Sequence, residues 1–244
     1  MKQEEWLALL AELVACQAPP GEEKEVEEAL RPRMEALGVP VWRDSVGNLY
    51  AHVEGSGPRV MLCAHMDEVA MVVADVLEDG RAKVEACGGS WPWKYGEGPV
   101  ELLADDGRWI AGILSIGSVH TTTGPVHELK SSRPLTWDLM TVFTGWGKEE
   151  LLAQGVHVGT RVLIARHRKQ LLRLGEYLAS FALDDRMGLT ALMALLQEAA
   201  QGGLGSALDL YFGPPAKRWK GVWGRCGPPR ASSPTLSSPW TPPL

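Results

Sequence analysis

Apolar residues Trp6, Leu9, Leu10, Leu13 and Val14 recur at the spacing that places them on one face of a helix, and Pro19-Pro20-Gly21 ends the run. A second helix is expected from Glu22 to Leu37. Its first turn is acidic, where the macrodipole favours carboxylates, Gly38 supplies a stop, and Pro32 is expected to kink or divide it. An extended stretch follows over Asp44 to Val53. After the turn Gly55-Ser56-Gly57-Pro58 comes the strand Arg59 to Ala64, so uniformly apolar that burial on both faces is expected.

From about Val69 to Leu171 the texture changes to short β-prone pieces broken by Gly and Pro, among them Trp109 to Leu114, Thr141 to Thr144 and Arg161 to Ala165. Helical periodicity returns after Asp184, with Leu189, Leu192, Met193, Leu195 and Leu196 on one face before Gly202-Gly203. Ala207 to Phe212 then looks like another central strand. This order predicts an α/β layer fold interrupted by a β insertion. The expected divisions are 1–69 and 171–212 for the layered domain, 70–170 for the insertion, and 213–244 for a tail.

The tail is foreign in composition. It contains no Asp or Glu although the chain has 30, and it holds Lys217, Arg218, Lys220, Arg225 and Arg230 among eight prolines. Removing those five basic residues from the total of 24 leaves 19 against 30 acids, a net charge of −11 for residues 1–212. Prolines this dense, with no apolar period, build neither strand nor helix.

The chain as a whole carries −6, which argues against a nucleic-acid footprint. No stretch approaches the roughly 18 uncharged apolar residues of a membrane span. Cys16, Cys63, Cys87 and Cys226 show no CxxC spacing, and no signal peptide precedes them. Reduced thiols in a cytoplasmic protein, with no nucleic-acid or membrane partner, are the expectation.

His65-Met66-Asp67-Glu68 follows the apolar strand directly, where open α/β sheets place their ligands. A neutral imidazole binds zinc or cobalt through one nitrogen, and a carboxylate two residues on can accept the other N–H, fixing the tautomer. Three letters alone are a weak signal. Asp184-Asp185 strengthens it, because paired acids at the mouth of a helix are costly near a core unless a cation compensates them. The alternative is that Asp184 caps the helix and Asp185 pairs with Arg186.

These two motifs, in this order and separated by a β insertion, resemble the M42 family of metallo-aminopeptidases. The likeness covers about residues 1–212. It includes Ala18-Pro19-Pro20-Gly21-Glu22-Glu23, Asp44-Ser45-Val46-Gly47-Asn48-Leu49, Ala64 to Glu68, Gly155-Val156-His157-Val158-Gly159 and Ala182 to Gly188. The resemblance implies a zinc-peptidase-like α/β/α layer domain, incomplete here, with an inserted β-barrel-like domain that mediates self-association. It implies peptide substrates cut at the N-terminus by a water activated between two divalent ions, zinc or cobalt. Carried over by position, His65 is a metal ligand, Asp67 the catalytic-site residue that orients it, and Asp184 the ligand bridging both ions. Asp185 and Arg186 become their support.

The family also implies a Glu-Glu pair just after the strand Leu208 to Phe212, one acid serving as base and one as ligand, followed by a further Asp and a late His. This chain has Gly213-Pro214-Pro215-Ala216-Lys217-Arg218 there, and no Asp, Glu or His after residue 212. Ala216-Lys217-Arg218-Trp219-Lys220 can be encoded as GCC AAG AGG TGG AAG, which read from the third base gives Gln-Glu-Val-Glu. A frame shift near residue 213 is therefore the working hypothesis, and one uninterrupted frame at the resequenced locus would sink its sequencing-error version. Two other readings stay open: a non-catalytic remnant with at most partial metal binding, and a carbohydrate hydrolase, since some relatives are called endoglucanases.

His52, His120, His127, His157 and His167 share no ligand spacing. The tryptophans from Trp91 to Trp109 read as packing for the insertion or its interface. Asp105-Asp106-Gly107 reads as a turn before a strand.

Overall fold

The computed structural model describes residues 2–45, 47–129, 133–203 and 207–214. The tail from residue 215 and Val46 of the Asp44–Leu49 motif therefore lie outside the described residues. Helix α1 spans Gln3–Ala15 and buries Leu9, Leu10, Leu13 and Val14 of the residues its periodicity selects, while Trp6, in the first turn, is half-buried. At its start the Glu5 carboxylate accepts the Lys2 backbone N–H at 3.0 Å, satisfying one of the donors a helix N-terminus leaves free. Helix α2 spans Lys24–Glu35 as one element with Pro32 inside it, so Pro32 does not divide it. Pro32 sits in the last turn, and the carbonyl it deprives of a helical partner belongs to Glu28, an exposed residue.

Strands β1 (Val41–Arg43), β2 (Leu49–Val53) and β3 (Arg59–Cys63) precede the insertion. The insertion contributes β4 (Ala70–Val76), β5 (Ala82–Cys87), β6 (Gly98–Leu103), β7 (Trp109–Ser115), β8 (Thr141–Phe143) and β9 (Arg161–Ile164), with helix α3 (Lys148–Ala153) between the last two. A hairpin of β10 (Leu172–Leu174) and β11 (Tyr177–Ala179) leads to α4 (Leu183–Ala200) and β12 (Asp209–Gly213). No described helix is long and apolar enough to cross a membrane.

The layered part holds a four-stranded sheet in the order β1-β2-β12-β3. As expected, β12 is central. It pairs antiparallel with β2, Leu210 opposite Val53, and parallel with β3, Phe212 opposite Leu62. Leu49 and Ala51 of β2 and Leu210 and Phe212 of β12 point to one face, where they meet Leu13, Leu30, Met34, Leu189 and Leu196 from the three long helices. Burying each such side chain fully contributes about 1.5–3 kcal/mol.

The opposite face carries Trp42, Tyr50 and Tyr211, with Trp42 stacked on Tyr50 at 5.5 Å and edge-on to Tyr211 at 6.4 Å. Burial of β3 on both faces is not observed. Val60 and Leu62 pack on the core while Met61 is 46% exposed, because β3 is an edge of the described sheet and no described helix lies over its second face.

The six insertion strands close into a barrel in the order β4-β5-β8-β7-β6-β9. Met71, Val84, Leu102, Leu114, Val142 and Val162 fill it. Gly112 permits this packing: a Cβ there would lie 2.6 Å from Val142 Cγ1 and 3.0 Å from Leu102 Cδ1. The barrel is fastened to the helices by polar contacts. Arg166 donates to both oxygens of Glu25 at 2.7 and 2.8 Å, and Gln17 Nε2 donates to the Ile164 carbonyl at 3.1 Å.

Candidate functional site

Past the end of β3 the chain alternates. Met66 is wholly buried in the helix-side core, and this turns its neighbours His65 and Asp67 the other way, into a cavity of about 750 Å³ between the sheet and the barrel. Asp184 lines the same cavity from the start of α4. The backbone of Asp184 (φ −88, ψ 106) and Asp185 (φ −121, ψ 39) is not helical, so the regular helix begins after this pair. Asp185, rather than Asp184, provides the cap: its Oδ1 accepts the Gly188 N–H at 3.1 Å. A Cβ at residue 188 would lie 2.2 Å from that oxygen, which is why glycine stands there.

His65 is held at both nitrogens. Nε2 is 3.0 Å from Asp184 Oδ1, across 119 residues of sequence. Nδ1 lies 2.9 Å from the Asp67 carbonyl oxygen and 3.1 Å from Asp67 Oδ1, and alignment gives the hydrogen bond to the carbonyl. Asp67 Oδ1 is therefore a buried oxygen without a hydrogen bond, a state that costs roughly 1–3 kcal/mol and marks a place for a further donor or cation.

Behind these groups lies a buried ionic network. The Arg186 guanidinium, with no exposed surface, donates to the Leu13 carbonyl at 2.9 Å, to the Met66 carbonyl, and to Glu68 Oε1 at 3.3 Å. It thus ties the Asp184 turn to the His65–Asp67 segment and does not pair with Asp185. Lys169, also wholly buried, reaches Glu68 Oε1 and the Cys16 carbonyl, each at 2.8 Å, and Gln17 Oε1. Burial pushes the Lys169 ammonium below its ordinary pKa, with Glu68 opposing. The Ala18 N–H donates to the same Glu68 oxygen at 3.1 Å. Glu68 is the point where α1, the His65 segment, the barrel exit and α4 are joined.

His65 Nε2 and Asp184 Oδ1 converge as two donors sharing one ion would. A complete zinc shell takes three or four protein ligands, and no group of three or more His, Cys, Asp or Glu able to hold an ion occurs among the described residues. The described residues fit a ligand pair for one ion and fall short of a shell for two.

The other histidines lie off this cavity. His52 Nε2 is 2.6 Å from Asp209 Oδ1, and His157 Nε2 is 2.9 Å from Asp105 Oδ1. Asp105-Asp106 forms the turn before β7, as its sequence indicates. Trp109 packs at the barrel–helix junction and donates to Glu25 at 3.0 Å, whereas Trp91, expected to pack, is 58% exposed and lines the cavity. Sequence reading gave no role to Lys169, which sits in the basic run Arg166-His167-Arg168-Lys169 and carries no local signal of burial.

Known proteins resemble this chain in sequence and in fold. The lysyl aminopeptidase of Pyrococcus furiosus is 30% identical over 177 residues, covering 69% of this chain and 46% of that protein. The glutamyl aminopeptidase of Lactococcus lactis is 27% identical over 190 residues, covering 76% of this chain and 52% of the relative. The chain thus spans about half the length of these relatives. Among solved structures, the TET1 peptidase of Pyrococcus horikoshii, described as assembling into a tetrahedron or a large octahedral shell, superposes with a TM-score of 0.70 at 20% identity over 86% of this chain and 60% of that one. The family model of M42 glutamyl aminopeptidases matches residues 47–213, and the chain belongs to that family.

Proposed function

We propose that the whole protein is a metal-dependent aminopeptidase removing N-terminal residues from peptides with the help of two divalent ions, zinc or cobalt, and that this chain contributes the first part of its site. In this reading His65 ligates one ion, Asp184 bridges both, and Asp67 orients the imidazole. The observation that carries it is the 3.0 Å approach of His65 Nε2 to Asp184 Oδ1 in a large cavity, with the other imidazole nitrogen held by Asp67. Bound ions supply Lewis acidity and an activated water. The chain's own residues hold the imidazole tautomer, keep Arg186 and Glu68 behind the loop, and screen the site between sheet and barrel.

Self-association through residues 70–170 and a cytoplasmic location belong to the same proposal. Exposed Ile113, Phe143 and Val158 on or beside the barrel strands supply apolar surface for contact between copies.

The shortage of ligands among the described residues favours a second reading for the 244-residue chain taken alone, a non-catalytic remnant that binds metal partially. Hydrolysis of Leu- or Lys-p-nitroanilide with Co²⁺ or Zn²⁺ separates the two. Chelator-sensitive turnover by this chain would refute the remnant. No turnover by a product carrying the acidic turn in frame would refute the aminopeptidase reading. Release of reducing sugar from soluble cellulose, indifferent to chelator, would instead favour a carbohydrate hydrolase.

A further inference from the structure

The barrel is joined to the layered part by two segments of chain, and a buried ion pair fastens one to the other. Glu68 stands just before β4, where the chain enters the barrel, and Lys169 stands shortly after β9, where it leaves. Their side chains meet at 2.8 Å across 101 residues of sequence. Both are also anchored on the end of α1. The Glu68 N–H donates to the Ala18 carbonyl at 2.9 Å, and the Ala18 N–H donates back to Glu68 Oε1 at 3.1 Å. Lys169 Nζ donates to the Cys16 carbonyl at 2.8 Å and to Gln17 Oε1.

Each segment of this neck continues into one of the two converging donors. His65 lies immediately upstream of Glu68, in the segment whose Met66 is buried in the helix-side core. Past Lys169 the chain makes the β10–β11 hairpin and then returns, because Ser180 Oγ donates to the Lys169 carbonyl at 2.7 Å. From Ser180 it lines the cavity as far as Asp184. A tilt of the barrel on its neck would therefore change the distance between His65 and Asp184. Apolar packing resists such a tilt weakly, whereas charge-assisted hydrogen bonds fix both distance and direction. A buried ion pair loses much of its Coulombic gain to desolvation, so an intact pair supplies fixed geometry more than stability.

We propose that Glu68 and Lys169 form a staple across the neck of the insertion, and that they are positioning residues setting the approach of His65 to Asp184 without touching a bound ion. This role rests on the reading of His65 and Asp184 as metal ligands, and a measurement on the metal-free chain lets the two fail separately.

The test is Co²⁺ titration of the full 244-residue chain followed by visible absorption, with hydrogen exchange of the metal-free protein beside it. Glu68→Gln and Lys169→Met should each weaken Co²⁺ binding by about 10–100-fold and alter the visible spectrum, the size of effect that partners of ligating groups have. The double variant should lose no more than the weaker single one, since the pair acts as a unit. Val142→Ala, which thins the barrel core away from the neck, should leave Co²⁺ affinity unchanged. Should Lys169→Met fail to fold, Glu68→Gln, which keeps the shape of the side chain, carries the test. Unchanged affinity in the folded variants, multiplying losses in the double variant, or an equal loss in Val142→Ala would overturn the staple. If the unaltered chain takes up no Co²⁺, the ligand reading fails by itself and hydrogen exchange decides in its place. Exchange over residues 64–69 and 180–188 at least about tenfold faster in the variants, with the barrel strands unchanged, supports the staple. A rise that is equal everywhere, or no rise, overturns it.

Discussion

Lys169 Nζ lies 2.8 Å from Glu68 Oε1, and neither group is open to water, the two side chains being 0% and 6% exposed. Removing one member of such a pair leaves a charge in low dielectric, at a cost of about 3–5 kcal/mol. Arg186 still faces Glu68 at 3.3 Å, so the lower end applies. Lys169→Met should destabilise the chain by about 3 kcal/mol in urea denaturation. A loss below about 1 kcal/mol would show that the pair does not join the barrel exit to the His65 segment.

The contact between α2 and the barrel should be sensitive to acid. Burial raises the pKa of Glu25, but hydrogen bonds from Arg166, the Gln17 amide and Trp109 outweigh it and hold the carboxyl below its ordinary 4.5. A depressed carboxylate stabilises the fold above its unfolded value, and the contribution is lost as pH falls through the folded value. Titration downward from about pH 5 should therefore release the Trp109 indole N–H, visible as a shift of its NMR resonance, at a midpoint below 4.5. Glu25→Gln should abolish the transition. A midpoint above 4.5 would reverse the assigned sign.

Much of this was legible along the chain. The apolar periodicity of α1 and α4 and the β-prone pieces of the insertion depend on local spacing, and there sequence and structure agree, except that Leu195, expected on the apolar face of α4, is 42% exposed. The motifs at His65 and Asp184 were legible too, although their meeting depends on the turn at Asp184–Asp185. What remained hidden depends on distant neighbours. Apolar composition in β3 suggested a strand covered on both sides, yet its second face is open because coverage belongs to the sheet and not to the strand. The buried state of Lys169 comes from contacts with Cys16, Gln17 and Glu68, two of them more than 150 residues away. Pro32 does not divide its helix because it falls in the last turn, where only the carbonyl of the exposed residue Glu28 loses a helical partner.

Metal uptake should track the two converging donors. His65→Ala should abolish Zn²⁺ or Co²⁺ binding in equilibrium dialysis, since it removes one of the two groups that meet in the cavity. Asp67→Ala keeps the backbone carbonyl that accepts from His65 Nδ1 and removes only the carboxylate oxygen 3.1 Å from it, so it should weaken binding less than His65→Ala does. Retention of full affinity in His65→Ala would remove this site from consideration.

The uncovered sheet face bears on solution behaviour. Among the described residues β3 pairs only with β12, so one side of its backbone is an unpaired edge, and Met61 beside it is 46% exposed. Trp42 and Tyr211 extend the same face as a half-buried aromatic surface. Edges and apolar faces of this kind recruit other chains unless charge blocks them. The isolated 244-residue chain should therefore be poorly soluble and elute as broad, heterogeneous high-mass material on size exclusion. Met61→Lys, placing a charge on that face, should raise the soluble fraction while leaving the circular dichroism spectrum unchanged. A sharp monomeric or dodecameric peak from the unmodified chain would contradict the argument, because it would mean that this face is either satisfied within the chain or closed in a defined assembly.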